Sequence, residues 1–226
     1  MLVGTRIMSD FPLKTVLLLG ETGDGKSFIG NLLVGRNVFQ TSDRPTSVTA
    51  QCSAACVLDP DFRTRFQVID AIGLFDTNRT QQEVHTILSE FAHLAPDGIH
   101  ALLVVIPGGR FKASITKMLG AIEIFFGEQM WSSSIVVFNK TRRRPEEITS
   151  DTTVPALVHA VGKWQAHDVS ICTMPVAHED DNGHVDVARL AGDVRALKQA
   201  IVRPRPVYAP EVFQQVRRTR GHDAGD

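Results

Sequence analysis

The apolar run Val16–Leu19 passes directly into Gly20-Glu21-Thr22-Gly23-Asp24-Gly25-Lys26-Ser27, and a helical pattern begins at Lys26. This stretch meets every required position of G-x-x-x-x-G-K-[ST], and it stands after a strand and before a helix, where that motif has to stand. Its glycines let the backbone curl until successive N–H groups converge, and the helix N-terminus adds partial positive charge. Such a loop is a cradle for phosphate oxygens. In it Lys26 would bridge the β- and γ-phosphates of a nucleotide and the Ser27 hydroxyl would ligate Mg²⁺, with Phe28 continuing the site into the helix. A glycine-rich turn with a chance lysine accounts for the residues but not for the strand and helix that flank them.

The rest of the chain alternates short apolar runs with helical patterns. Strands are predicted at Lys14–Leu19, Thr49–Leu58, Thr64–Asp70, Ala101–Ile106, Ile135–Phe138 and Val169–Met174. Helices are predicted at Lys26–Val34, Gln81–Leu94, Ala113–Phe126, Val154–Trp164 and Val185–Ile201, the last with Val187, Leu190, Val194, Leu197 and Ile201 inward. Strands alternating with helices predict a three-layer α/β fold, a mostly parallel sheet covered on both faces. Its length of 226 residues suits one large domain, expected over residues 10–202. Arg203-Pro204-Arg205-Pro206 breaks the last helix and opens an extension over 203–226, with a short helix at Glu211–Arg220 and a frayed end.

Two further stretches fall where a nucleotide site needs them. Asp70-Ala71-Ile72-Gly73 ends a strand, so Asp70 can reach a Mg²⁺ and the Gly73 N–H a γ-phosphate. Thr49, or else Thr46, lies on a polar segment that could bring a second hydroxyl to the metal. Asn139-Lys140-Thr141-Arg142 follows another strand, in the place of a guanine-reading Asn-Lys-x-Asp. There the acid would accept from the guanine N1–H and amino group, but Arg142 offers only donors. No glutamine follows Gly73 to orient a water, so hydrolysis would borrow Arg79 or Arg110, or a group from a partner.

These stretches together resemble the immunity-associated (avrRpt2-induced, IAN-type) GTPase family. The resemblance is carried by GETGDGKSFIGNLLVGRNVF (Gly20–Phe39), SVTAQC (Ser47–Cys52), VIDAIGLFDT (Val68–Thr77) and, most specifically, HALLVVIPGGRFKASITKMLGAIEIFFGE (His100–Glu128). It spans about Lys14 to Lys140. The resemblance implies a GTP- and GDP-binding domain with Mg²⁺ on a Ras-like P-loop sheet, slow intrinsic hydrolysis, and homodimerisation through the nucleotide face. The chain departs from the family pattern where Ala71 and Ile72 replace Thr and Pro, and where Arg142-Arg143-Arg144 supplies only basic residues. Ala177-His178 stands where a last base loop is expected.

Composition limits the alternatives. A net charge of −1 argues against a general nucleic-acid or membrane-surface binder. Cys52, Cys56 and Cys172 are too few and too scattered for a disulfide framework, which suits a reducing cytoplasm. No run approaches a membrane span, and the opening residues lack the pattern of a secretory leader. His85 and His93 sit on a predicted helix and need no chemistry, and Arg142–Arg144 either binds a phosphate or acidic partner or is merely solvated. The reading is therefore a guanine-nucleotide switch or scaffold with slow or partner-dependent hydrolysis. The alternatives are a degenerate module that binds without hydrolysing, and a P-loop kinase or ATPase without guanine specificity.

Overall fold

The computed structural model describes residues 11–39, 52–71, 81–174 and 187–210. In chain order the elements are β1 (Leu13–Leu19), α1 (Lys26–Val34), β2 (Cys52–Asp59), β3 (Thr64–Ala71), α2 (Gln81–Leu94), β4 (Ala101–Pro107) and α3 (Ala113–Phe126). A 3-10 turn at Glu128–Ser133 then leads into β5 (Ser134–Asn139), α4 (Pro145–Thr149), α5 (Pro155–Ala166), β6 (Ser170–Thr173) and α6 (Val187–Val202).

The described strands form one sheet in the order β2-β3-β1-β4-β5-β6. All neighbours are parallel except β2 and β3, a hairpin closed at Asp59-Pro60-Asp61, where Asp59 Oδ1 accepts from the Phe62 N–H at 3.2 Å. Because β1 lies between β3 and β4, successive connections leave it in opposite directions. That reversal opens a crevice at the carboxyl end of β1, the place where α/β sheets bind ligands.

Alternation along the strands divides the core. Leu17, Leu19, Ile69, Leu102, Val104, Ile106, Val136 and Phe138 face one side, against Phe91, Ile115, Ile122, Trp131 and Trp164. Val16, Leu18, Val68, Leu103, Val105, Ile135 and Val137 face the other, against Ile29 and Leu33 of α1 and Leu197 and Ile201 of α6. The layers follow from pleat geometry, since consecutive side chains point to opposite faces. On α3 the predicted stripe Ile115, Met118, Leu119, Ile122 and Phe126 is wholly buried, and Gly127 ends the helix at φ 78° with its N–H bonded to Glu123 O.

α6 departs from expectation. Leu197 and Ile201 are buried, whereas Val187 is 69% exposed and Leu190 and Val194 are half-buried. The core contact of this helix is made by its C-terminal half, so an apolar period at its start does not translate into burial. The sequence reading also lacks α4 and the 3-10 turn, both too short to carry a period.

Beyond α6, residues 203–210 return along the amino end of the sheet. Tyr208 and Ile99 exchange backbone hydrogen bonds at 2.8 Å, and Tyr208 Oη donates to Phe126 O at 2.6 Å. Ser133 Oγ donates to Pro206 O at 2.8 Å, and Arg205 donates to Ser134 O and Ala200 O. The predicted helix at Glu211–Arg220 lies outside the described residues. Among those described, no helix is long and apolar enough to cross a membrane.

Candidate nucleotide-binding site

The site is built where β1, β3, β4 and β5 end side by side. In the sheet register Leu18 lies opposite Asp70, Leu19 opposite Val104, and Pro107 opposite Asn139. The loop Gly20–Gly25 leaves β1 at that edge and enters α1 through Gly25, at φ 92°. A side chain at Gly25 would overlap the Asn139 amide, and one at Gly20 would meet Val105 O at 2.7 Å. These two glycines answer both requirements, an unusual backbone angle and close approach of a neighbouring strand.

Within the loop, Lys26 is buried and its Nζ donates to Glu21 O at 2.8 Å, holding the ammonium across the loop. Asp24 folds back so that Oδ2 accepts from the Glu21 N–H at 2.8 Å. Burial pushes the Asp24 carboxyl up to about 6, against the opposing pull of the Glu21 hydrogen bond and the Lys26 charge. Thr22 and Gly23 are exposed, and Phe28 in the first turn of α1 is 39% exposed beside the loop.

Ser27 Oγ donates to Asp70 Oδ2 at 2.6 Å, so residues far apart in sequence form one pair. Asp70 is 1% exposed, and its other oxygen, Oδ1, is buried without a hydrogen bond among the described residues. Burial raises the Asp70 pKa, opposed by the Ser27 hydroxyl and by Lys26. An unsatisfied buried carboxylate oxygen is costly unless something else completes it. A hard cation fits that need, because a hydroxyl and a carboxylate are oxygen ligands of the kind Mg²⁺ takes. Among the described residues no three acids, histidines or cysteines cluster, so phosphate oxygens and water would supply the remaining ligands.

Asn139 is fully buried, and its Nδ2 donates to Asp24 O at 2.7 Å, tying the end of β5 to the phosphate loop. Its Oδ1 has no hydrogen-bond partner among the described residues. The next residue, Lys140, turns at φ 57° and is exposed, while buried Thr141 donates its N–H to Met174 O at 3.1 Å. Thus Asn139 and Lys140 stand at the open edge beside the loop. Arg142 is exposed in the position where an acid was expected. Arg110, on the loop after β4, is also exposed. Gly73, Thr46, Thr49, Arg79 and Ala177-His178 lie outside the described residues.

Asp24 was expected in the phosphate cradle, and the fold adds that its carboxylate braces the loop. One further contributor was not legible as functional. Asn31 lies in α1 and accepts through Oδ1 from the Val38 and Phe39 N–H groups, while its Nδ2 donates to Phe39 O at 2.9 Å. It fixes where the chain goes after the helix. A polar residue among Ile29, Leu32 and Leu33 was its one sequence signal.

The model of the AIG1 family matches residues 14–152. The chain belongs to the AIG1 family. This AIG1 chain is 34% identical over 128 residues to immune-associated nucleotide-binding protein 4 of Arabidopsis thaliana, covering 56% of the chain and 39% of that protein. It is 34% identical over 130 residues to immune-associated nucleotide-binding protein 9 of the same plant, covering 58% and 38%. The matches therefore span well under half the length of those relatives. Among solved structures, Arabidopsis Toc33 in complex with Mg²⁺ and GMPPNP aligns with a TM-score of 0.61 at 17% identity, over 95% of this chain and 90% of that one. Toc33 in complex with GDP and Mg²⁺ aligns at 0.61 and 18% identity, over 90% of each. The AIG1 chain thus has the three-layer P-loop fold with a Ras-like, mostly parallel sheet.

Proposed function

We propose that this AIG1 domain binds GTP and GDP with Mg²⁺ and acts as a nucleotide-dependent switch or scaffold, with slow or partner-dependent hydrolysis. One observation carries the reading. The phosphate loop, the Ser27–Asp70 pair and Asn139 are joined by direct hydrogen bonds at the carboxyl edge of the sheet. In this reading Gly20–Ser27 hold the phosphates, Phe28, Gly73, Asn139 and Lys140 complete the nucleotide site, and Ser27, Asp70 and Thr49 serve the metal. Mg²⁺, when bound, would neutralise charge on the β- and γ-phosphates. Residues 10–202 form the nucleotide-binding domain, and 203–226 an appended segment.

Guanine is favoured because Toc33, of the same fold, was crystallised with GMPPNP and with GDP. For Toc33 and a second translocon component, dimerisation is described as important for GTPase activity. With no glutamine after Gly73, hydrolysis would draw on Arg79 or Arg110, or on a group from the partner copy of a homodimer formed through the nucleotide face.

A specific observation favours a second reading, binding without guanine selection. Arg142 replaces the acid that would accept from guanine, and it cannot accept. Competition of unlabelled GTP and ATP against a fluorescent analogue, with Mg²⁺, separates the two. Preference for GTP, abolished in Lys26→Ala, supports the first. Equal displacement or a preference for ATP establishes the second. Failure of both nucleotides to bind removes both readings. Light scattering with GDP and with GMPPNP tests the dimer, which predicts a mass that doubles in one nucleotide state.

A further inference from the structure

The arginine run at 142–144 has no part in holding phosphates at the loop, yet the fold builds it into a site. Arg142, Arg143, Arg144 and, from α6, Arg189 line a groove of about 580 Å³, with Glu146 and Asp193 among its other walls. The whole chain has a net charge of −1, so this concentration of guanidinium groups does not reflect general basicity.

The loop carrying the groove is braced from below. Thr141 is buried, and its Oγ1 accepts from the Arg143 N–H at 3.1 Å. The Arg143 guanidinium is a strut, paired with Asp151 at 2.9 Å and bonded to Glu147 O. Glu147 Oε2 accepts from the Arg144 N–H at 2.8 Å and fixes the start of α4. On this frame Arg142 and Arg144 are exposed, and neither guanidinium has a hydrogen bond or ion pair among the described residues. Two flexible forks thus stand on a braced backbone, which lowers the entropy lost when they close on a ligand.

Charge and hydrogen-bonding capacity define the ligand. Of the four guanidinium groups in the lining, Arg143 is already paired with Asp151, which leaves Arg142 and Arg144 as the two donor forks of the loop wall. Arginine only donates, so the ligand must bring acceptors as well as charge. A terminal phosphate has three acceptor oxygens and a charge of about −1.5 to −2 at pH 7. A carboxylate has two acceptor oxygens, enough for one bidentate guanidinium fork but not for two.

The geometry points to a second anion site: the groove between the β5–α4 loop and α6 takes a ligand bearing a terminal phosphate dianion, gripped by Arg142 and Arg144. The ligand is a soluble phosphate ester or an inositol-lipid headgroup, which share this chemistry. The groove shares no residue with the phosphate loop, although Arg142 also holds the fourth position of the Asn139-Lys140-Thr141-Arg142 stretch, so the two sites adjoin there.

The test uses the full chain carrying Lys26→Ala, so that the loop does not compete for the probe. Inorganic pyrophosphate is titrated by calorimetry, and vesicles of phosphatidylcholine, with or without phosphatidylinositol 4-phosphate, are sedimented with the protein. Arg142→Ala/Arg144→Ala is expected to weaken binding at least about tenfold, because each charge-assisted bond contributes about a factor of ten or more. Arg142→Lys/Arg144→Lys keeps the charge, loses the fork and should fall between. Arg189→Ala tests the opposite wall, and unchanged thermal unfolding shows that each variant is folded. Pyrophosphate binding that is lost in the double alanine variant, without vesicle binding, supports the site with a soluble ligand. Co-sedimentation that needs both the phosphoinositide and the arginines supports it with a lipid ligand. Binding indifferent to the arginines, no binding of either probe, or capture only by a polyglutamate peptide overturns it.

Discussion

Asp24→Asn should make this protein more stable at neutral pH, although it removes a charge from the phosphate loop. The Asp24 side chain is 9% exposed, and its pKa is pushed from 3.8 to about 6, chiefly by burial. A folded pKa above the unfolded one means that the native state holds the proton more tightly. Below pH 3.8 both states are protonated and there is no cost. As pH rises, the unfolded chain ionises first, and native stability falls until the folded pKa is passed. The rise from 3.8 to about 6 corresponds to at most about 3 kcal/mol at pH 7, less whatever solvent screens, shrinking to about 0.5 kcal/mol at pH 4. Asparagine is neutral and its carbonyl can still accept from the Glu21 N–H, so the variant should recover about 1–3 kcal/mol at pH 7.5. Urea denaturation, followed by the fluorescence of buried Trp131 and Trp164, measures it at both pH values. A bound triphosphate adds negative charge beside the carboxylate, so the variant should also bind nucleotide more tightly at pH 7.5 than the unsubstituted chain. A variant less stable at pH 7.5, or a stability difference that does not change with pH, would refute the reasoning.

Ser27→Ala removes the hydroxyl that donates to Asp70 Oδ2 and one oxygen ligand for the metal. Mg²⁺ should then no longer improve nucleotide binding, as read by titration with and without EDTA. Tyr208→Phe loses the 2.6 Å bond to Phe126 O and should cost about 1–2 kcal/mol in urea denaturation without changing nucleotide affinity. Burial, with Lys14 nearby, lowers the His100 pKa, and its Nδ1 accepts from the Thr15 N–H at 3.1 Å. Its contribution is therefore complete above the unfolded pKa near 6.5 and is lost as pH falls through the folded value. His100→Ala should flatten the fall in stability as pH drops below about 6.5.

The helices were legible where an apolar period had room to repeat. Lys26–Val34, Gln81–Leu94 and Ala113–Phe126 have the predicted bounds. α6 shows the limit, since periodicity predicts a face but not how much of it meets the sheet. The five-residue helix α4 was illegible because a single turn has no period, and it is held by Pro145 and by Glu147 reaching back to Arg144.

What the sequence determined by itself is the phosphate loop and the succession of strands and helices. Both depend on near neighbours, on glycine backbone freedom, apolar period and the N-terminus of the next helix. The AIG1 resemblance rests on the same contiguous stretches. Tertiary structure decided everything that needs two distant segments to meet. Ser27 pairs with Asp70 because β3 lies beside β1 in a register that ends both strands together. Asn139 reaches Asp24 because β4 sets β5 at a fixed distance from the loop. Arg142–Arg144 becomes a groove only when α6 supplies its opposite wall. Residues 203–210, a bare helix break in sequence, are held along the sheet by Tyr208 and Arg205. Hydrogen bonds and charge pairs act over a few ångströms in space, and only strand order and register bring such distant residues that close.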